Sequence, residues 1–333
     1  MDPADVLALI DALSGRRVAV VGDAIADEFV YGRVARVSRE APVLILEYDS
    51  TEVVAGGAGN AANNVAAMGG SALLAAVIGR DEHGRRLLES LHKRVNPRTV
   101  IRSPRGTTIK TRILAGGIHS AKQQVVRIDR LGGGAMDKKS RDAFFKSAVS
   151  AALRADAVLV SDYGGGLVSP KVVSRMRAEL KRAEHPIPIL VDSRYRLLNY
   201  TGLTACTPNE SEVEQALGIR INDDARVLER AGREVLERTK MQAVLVTRGS
   251  RGMALFVRDA PTVHIPIFGS DEIADVTGAG DTVVATVTLA LAAGATFELA
   301  ARLANYAGGL VVMKRGTATV SAAELREAVN RDA

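Results

Sequence analysis

Cysteine is nearly absent. Cys206 is the one thiol in 333 residues, so no disulfide forms within the chain and no metal site rests on cysteines alone. Tryptophan is missing, and six Tyr and six Phe are the only aromatics, too few for the stacking platforms of single-strand nucleic-acid binders. The five histidines (His83, His92, His119, His185 and His264) never fall in HExxH spacing, and no zinc ligand set stands out. A G-x-S-x-G elbow and a Walker phosphate loop are also missing. No apolar run approaches the roughly 20 residues of a membrane span. The first residues, MDPADVLALIDALSGRR, carry no basic leader and read as a helix capped by Asp2. With the lone thiol, that leads us to expect a cytoplasmic protein.

What is present fits a folded globular protein. Hydrophobic residues at 47% and charged residues at 25% are ordinary for a globular chain. The formal charge is +6, but the basic residues are scattered, which favours anionic small molecules over nucleic acid. Short apolar strands at 16–23, 71–78, 156–161, 187–192 and 242–247 alternate with amphipathic helices at 58–69, 81–93, 137–154, 169–184, 209–217 and 223–238. The order predicts a parallel sheet covered on both faces. Three more helices, 279–294, 296–313 and 321–331, close the chain, with Gly294 and Gly316 at their ends. Two stretches, 27–50 and 105–130, read instead as β-hairpins. They suit either edge strands or a small projecting sheet. No linker divides the chain, so residues 1–333 are expected to form one α/β domain with a β appendage.

Two glycine-rich segments carry the strongest chemical signal. In DVTGAGDTVVATVTLALAAG, Gly278, Ala279 and Gly280 precede a long apolar helix that begins near Asp281. Such a turn offers unpaired N–H groups to an anion, and an acid beside them can deprotonate a hydroxyl. Taken alone, Asp281 fits a plain first-turn acid equally well. In GGAGNAANN, Gly56 and Gly57 precede a helix on which Asn60 and Asn64 share a face. Polar residues also end several strands: Asp23, Asp162, Asp192, Asn209, and Thr247 with Gly249. Ligands of open α/β sheets bind at that edge. Asn209 and Glu212 have capping-box spacing, yet the same pair can hold Mg²⁺ through water.

Both glycine segments, in this order and at opposite ends, make the chain resemble the ribokinase-like (PfkB) family of carbohydrate kinases. The resemblance covers nearly the whole chain and implies a three-layer α/β/α sandwich with a mostly parallel sheet and a β lid. It implies that Asp281 is the catalytic base and that the 278–281 turn, with the Ala279 and Gly280 amides, is the anion hole. It places Asp23, Gly56, Gly57 and Asn60 at the sugar. Asp192, Asn209, Glu212, Thr247, Gly249, Asn305 and Gly308 fall on the ATP side, with Mg²⁺ on Glu212. Asp275 and Thr277 match the positions of a monovalent cation, K⁺ among them.

Longer stretches, VVGDAIADEFVYGRVARVSREAPV, TIKTRI, QQVVRID, SDYGGGLVS and KRGTATVS, are similar to the branch acting on D-glycero-D-manno-heptose 7-phosphate, and to its stand-alone form. That branch phosphorylates the anomeric hydroxyl in lipopolysaccharide precursor synthesis. Lys110, Arg112 and Gln124 of the second hairpin, with Lys122 and Arg127 nearby, are then expected to reach the acceptor's phosphate, and the lid to pair two subunits. Another sugar kinase of the family and a non-catalytic sugar-phosphate-binding regulator remain alternatives. ATP turnover separates the last from the others.

Overall fold

The computed structural model describes residues 2–116, 122–134, 136–269 and 275–332. Asp2 caps the first helix by accepting from the Ala4 N–H, and Pro3 opens it. In chain order come α1 (Pro3–Ala12), β1 (Arg17–Gly22), β2 (Ala24–Val37), β3 (Leu44–Gly57), α2 (Ala58–Ala67), β4 (Ser71–Ala75), β5 (Val77–Gly79) and α3 (Glu82–Glu89). Then follow β6 (Val95–Asn96), β7 (Ile101–Ser103), β8 (Thr108–Gly116), β9 (Gln123–Arg130), α4 (Lys138–Ala152), β10 (Ala157–Asp162), α5 (Pro170–Arg182) and β11 (Ile189–Ser193). The rest are β12 (Ala205–Cys206), α6 (Glu210–Leu217), α7 (Ala225–Thr239), β13 (Ala243–Thr247), β14 (Met253–Val257), β15 (Val263–Ile265), α8 (Ala279–Ala292), α9 (Phe297–Val311) and α10 (Ala322–Asp332).

Among the described residues the main sheet has nine strands in the order β15-β14-β13-β12-β11-β10-β1-β4-β6. Strand β1 lies inside it, parallel to both β10 and β4. Its pleat divides the core. Val18 and Val20 pack with α1, α2, α8, α9 and α10, whereas Ala19 and Val21 pack with α4, α5 and α7. A continuous apolar run is what a strand covered on both faces requires.

Two details depart from the sequence expectation. The sheet is parallel only as far as β13: β14 and β15 add antiparallel at one edge. Gly252, at φ +75°, reverses the chain there. The run at 71–78 is two strands, since β4 pairs with β1 while β5 leaves the main sheet and pairs with β7.

The two hairpins join into one four-stranded sheet, β3-β2-β8-β9, through parallel pairing of β2 with β8. The first hairpin runs from Ala24 to Gly57, well beyond 27–50, and so delivers its last glycines to the start of α2. Residues 24–29 of β2 are buried while 33–37 are mostly exposed, and β9 is exposed throughout. The sheet therefore projects from the body as a lid. Most of the loop 115–122 between β8 and β9 lies outside the described residues.

Candidate active site

The two glycine-led helices, α2 and α8, lie against each other with a polar ladder between them. Asn60 Nδ2 donates to the Gly278 carbonyl at 3.4 Å, Thr282 Oγ1 to Asn64 Oδ1 at 3.1 Å, and Thr286 Oγ1 contacts Met68 Sδ at 3.3 Å. Each rung joins residues 218 apart. Four-residue steps on both helices keep the rungs aligned. Residues 281–290 of α8 are all buried, and the hydroxyls of Thr286 and Thr288 donate to carbonyls four residues back, at 2.7 Å.

That packing places Asp281, 3% exposed, in the first turn of α8. Its Oδ2 accepts from Asn60 Nδ2 at 2.9 Å and its Oδ1 from the Tyr163 hydroxyl at 3.0 Å. Burial pushes its pKa up to about 6, against the pull of these two donors. A carboxylate poised near neutrality between fixed donors is suited to accept a proton from a hydroxyl. Asn60 was expected at the sugar. Its amide is instead engaged with Asp281, Gly278 and, through Oδ1, Asn64 Nδ2 at 3.2 Å.

On one side of this acid lies a cavity of about 430 Å³. It is lined by Asp192, Asn209, Glu212, Thr247, Gly249, Asn305 and Gly308, together with Gly278, Ala279 and Gly280. These sequence-selected positions are brought together by the carboxyl edge of the sheet and the start of α8. The anion-hole expectation needs one correction: the Ala279 N–H donates to the Val276 carbonyl at 3.2 Å. Among the described residues the Gly280 and Asp281 N–H groups have no acceptor. A Cβ at Gly280 would meet nothing within 4 Å, so this turn is open to a ligand.

Asn209 and Glu212 form the capping box in full, each side chain accepting from the other's N–H at 2.9 Å. Glu212 still lines the cavity beside Asp192. Burial raises both carboxyl pKa values, and the charge of Glu212 adds to the shift of Asp192. The buried Thr207 hydroxyl, also in this wall, has no partner among the described residues. Two crowded carboxylates and an orphaned hydroxyl form an oxygen donor set that fits a hard cation such as Mg²⁺ held partly through water. Asp275, singled out for a monovalent cation with Thr277, accepts from the Thr277 and Gly316 N–H groups at 2.9 Å.

On the other side lies a second cavity of about 220 Å³, roofed by the lid. Asp23 and Lys110 line it, joined by Arg105, Arg127 and Arg194. Asp23 Oδ2 also accepts from the Tyr163 and Gly165 N–H groups at 2.9 and 3.1 Å. Other lid expectations are not met. Arg112 is buried in an ion pair with Asp27 at 2.7 Å, and Lys122 pairs with Asp49 at 2.5 Å. Gln124 is exposed and lines neither cavity.

Gly56 and Gly57 line neither cavity: a Cβ at Gly56 would lie 2.1 Å from Asp27 Oδ2, and one at Gly57 2.5 Å from the Asp23 carbonyl. They are there for close backbone approach. Asp162 is an anchor, bound by Ser193, Arg196 and Tyr200.

Tyr163 was missed. It lines both cavities, as Arg194 does, and its ring faces Lys110 Nζ at 4.5 Å from the ring centre. A single tyrosine has no spacing signal. Its position one residue past a strand-end acid, before three glycines, was the available clue.

An α/β sandwich with two adjoining cavities, the larger at the start of a buried helix, suits an enzyme that binds two small molecules. The model of the pfkB family carbohydrate kinases matches residues 16–324, and the chain belongs to that family. The bifunctional protein HldE of Geobacter metallireducens is 43% identical over 317 residues, covering 92% of this chain and 61% of the relative. That of Caulobacter vibrioides is 41% identical over 318 residues, covering 94% and 63%. The chain thus spans about three-fifths of these relatives. Among solved structures, Arabidopsis thaliana ribokinase complexed with ribose and ATP superposes with a TM-score of 0.68 at 19% identity, covering 96% of this chain and 98% of that one. Phosphofructokinase-2 of Escherichia coli, in complex with fructose-6-phosphate, gives 0.73 at 17% identity, covering 96% and 99%. These confirm the ribokinase-like fold.

Proposed function

We propose that this sugar kinase transfers the γ-phosphoryl group of ATP to the anomeric hydroxyl of D-glycero-D-manno-heptose 7-phosphate. The observation that carries the reading is the pair of cavities meeting at Tyr163 and Arg194, in front of Asp281, with four cationic side chains around the smaller one. ATP occupies the larger cavity, its phosphates towards the Gly280 and Asp281 N–H groups. The acceptor occupies the smaller, its existing phosphate among Arg105, Lys110, Arg127 and Arg194. The HldE relatives, at about two-fifths identity, support heptose as the sugar.

In the transfer, the proton of the C1 hydroxyl passes to Asp281. The hydroxyl oxygen bonds the γ-phosphorus, and the bridging O–P bond breaks to release ADP. Asp192 and Glu212 would hold Mg²⁺, which supplies neutralising charge to the phosphates when bound. A K⁺ beside the turn would use lone pairs that Asp275 keeps beyond its two N–H bonds. The lid bears exposed apolar residues, among them Val37, Val43, Tyr48, Val126 and Ile128. We assign them to a two-fold dimer through the lid. A fully active monomer in sedimentation at micromolar concentration would refute that assignment. The work of an ATP-dependent enzyme with one buried thiol, Cys206, fits the cytoplasm.

The deciding experiment is a kinase assay over phosphorylated and free sugars. Heptose 7-phosphate is expected to exceed free heptose by at least about tenfold in kcat/KM, since one charge-assisted hydrogen bond is worth about 1.5–3 kcal/mol. Equal use of the free sugar would remove the heptose-phosphate assignment and leave the family membership intact.

A further inference from the structure

A base within reach of water can deprotonate water as well as an acceptor hydroxyl, and Asp281 is almost fully buried. Asp281 lines neither cavity. One oxygen is held by Asn60, itself fixed by Asn64 on the same helix, and the other by the Tyr163 hydroxyl. Tyr163 forms part of the wall of both cavities and bonds the acid through its hydroxyl. Its O–H···O distance of 3.0 Å is the one an acceptor hydroxyl must reach to be deprotonated.

We propose that Tyr163 is a positioning residue that holds Asp281 until the acceptor hydroxyl takes its place, thereby suppressing hydrolysis of ATP. This rests on the reading of Asp281 as the base. The surrounding contacts suit such an exchange. Tyr163 begins a segment in which Gly164 and Gly166 both take φ +80°. The segment is held at Asp23, whose Oδ2 accepts from two of its N–H groups, and Asp23 belongs to the acceptor cavity. The ring lies under Lys110 at 4.5 Å and Arg194 at 5.6 Å, two cations of that same cavity. An acceptor phosphate that draws these cations away weakens their hold on the ring. Burial and the adjacent carboxylates push the phenol pKa far up, so Tyr163 keeps its own proton throughout.

The reaction suppressed is balanced in the same way as the transfer: a proton of water passes to Asp281, the water oxygen bonds the γ-phosphorus, and ADP leaves. Tyr163→Phe opens Oδ1 to water. ADP release with and without sugar is measured at about pH 8.5, where Asp281 is ionised in both proteins. The ratio of hydrolysis to transfer is expected to rise about tenfold, the worth of one hydrogen bond to a charged group. The acid limb of kcat/KM is also expected to move upward, because a donor to the carboxylate is lost. An unchanged ratio in a protein whose Asp281→Asn variant is inactive overturns the role of Tyr163 alone. Retained sugar phosphorylation in Asp281→Asn overturns the base assignment, and this inference with it.

Discussion

Asn60 donates a hydrogen bond of 2.9 Å to Oδ2 of Asp281 across 221 residues of chain. This contact unites the two glycine-led motifs, and it lowers the pKa of the proposed base. Burial raises the Asp281 pKa to about 6, while the Asn60 donor works in the opposite direction. The base must be ionised to act, so activity is expected to rise with pH through about 6. Asn60→Ala is expected to move that limb upward by about one unit. A kcat/KM profile recorded from acid to neutral pH checks this, and an unmoved limb contradicts it.

The same shift has a consequence for stability. Between the ordinary aspartate value of 3.8 and about 6, the folded protein binds more protons at Asp281 than the unfolded chain does. Stability is therefore lost as pH rises through that window, and the loss is complete above it. Asp281→Asn does not titrate there. It is expected to be more stable than the native protein at pH 8 by up to about 3 kcal/mol, relative to the difference between the two at pH 4. Denaturant melts at the two pH values read this directly. A difference that does not depend on pH argues against the raised pKa.

The lid separates two cations that the sequence places on one face of a strand. Lys110 lines the smaller cavity, whereas Arg112 is 8% exposed and spent on Asp27. Lys110→Ala is expected to reduce the preference for a phosphorylated acceptor by about tenfold with little change in melting temperature. Arg112→Ala leaves a buried carboxylate unpaired, so its expected effect is a loss of about 3–5 kcal/mol of stability. Acceptor selectivity and thermal melts of both variants decide between these roles. Selectivity lost only in the Arg112 variant reverses the assignment.

The reason Arg112 was misplaced shows where local pattern stops. Alternation puts Lys110 and Arg112 on one face correctly. It does not reveal that β2 runs parallel beside β8, pairing Asp27 with Lys110 and Phe29 with Arg112. That register joins segments about 80 residues apart, and no local pattern encodes it. The alternating strands and helices were legible because each carries its own period. Strands β14 and β15 were not: they add antiparallel at an edge after a turn at Gly252, outside the alternation of strand and helix. The residues around the larger cavity were legible because they follow strand ends, and one sheet edge gathers them. Asn60 was legible as important, but its bond to Asp281 was not, since that contact depends on how α2 packs against α8.

The most direct test of the account is the turnover of Asp281→Asn with ATP and heptose 7-phosphate at neutral pH. The isosteric amide keeps the contacts of Asn60 and Tyr163 satisfiable and removes only the proton acceptor. The account predicts a fall in kcat of about 10²–10⁴ with nucleotide affinity preserved. Near-native turnover in this variant would contradict it.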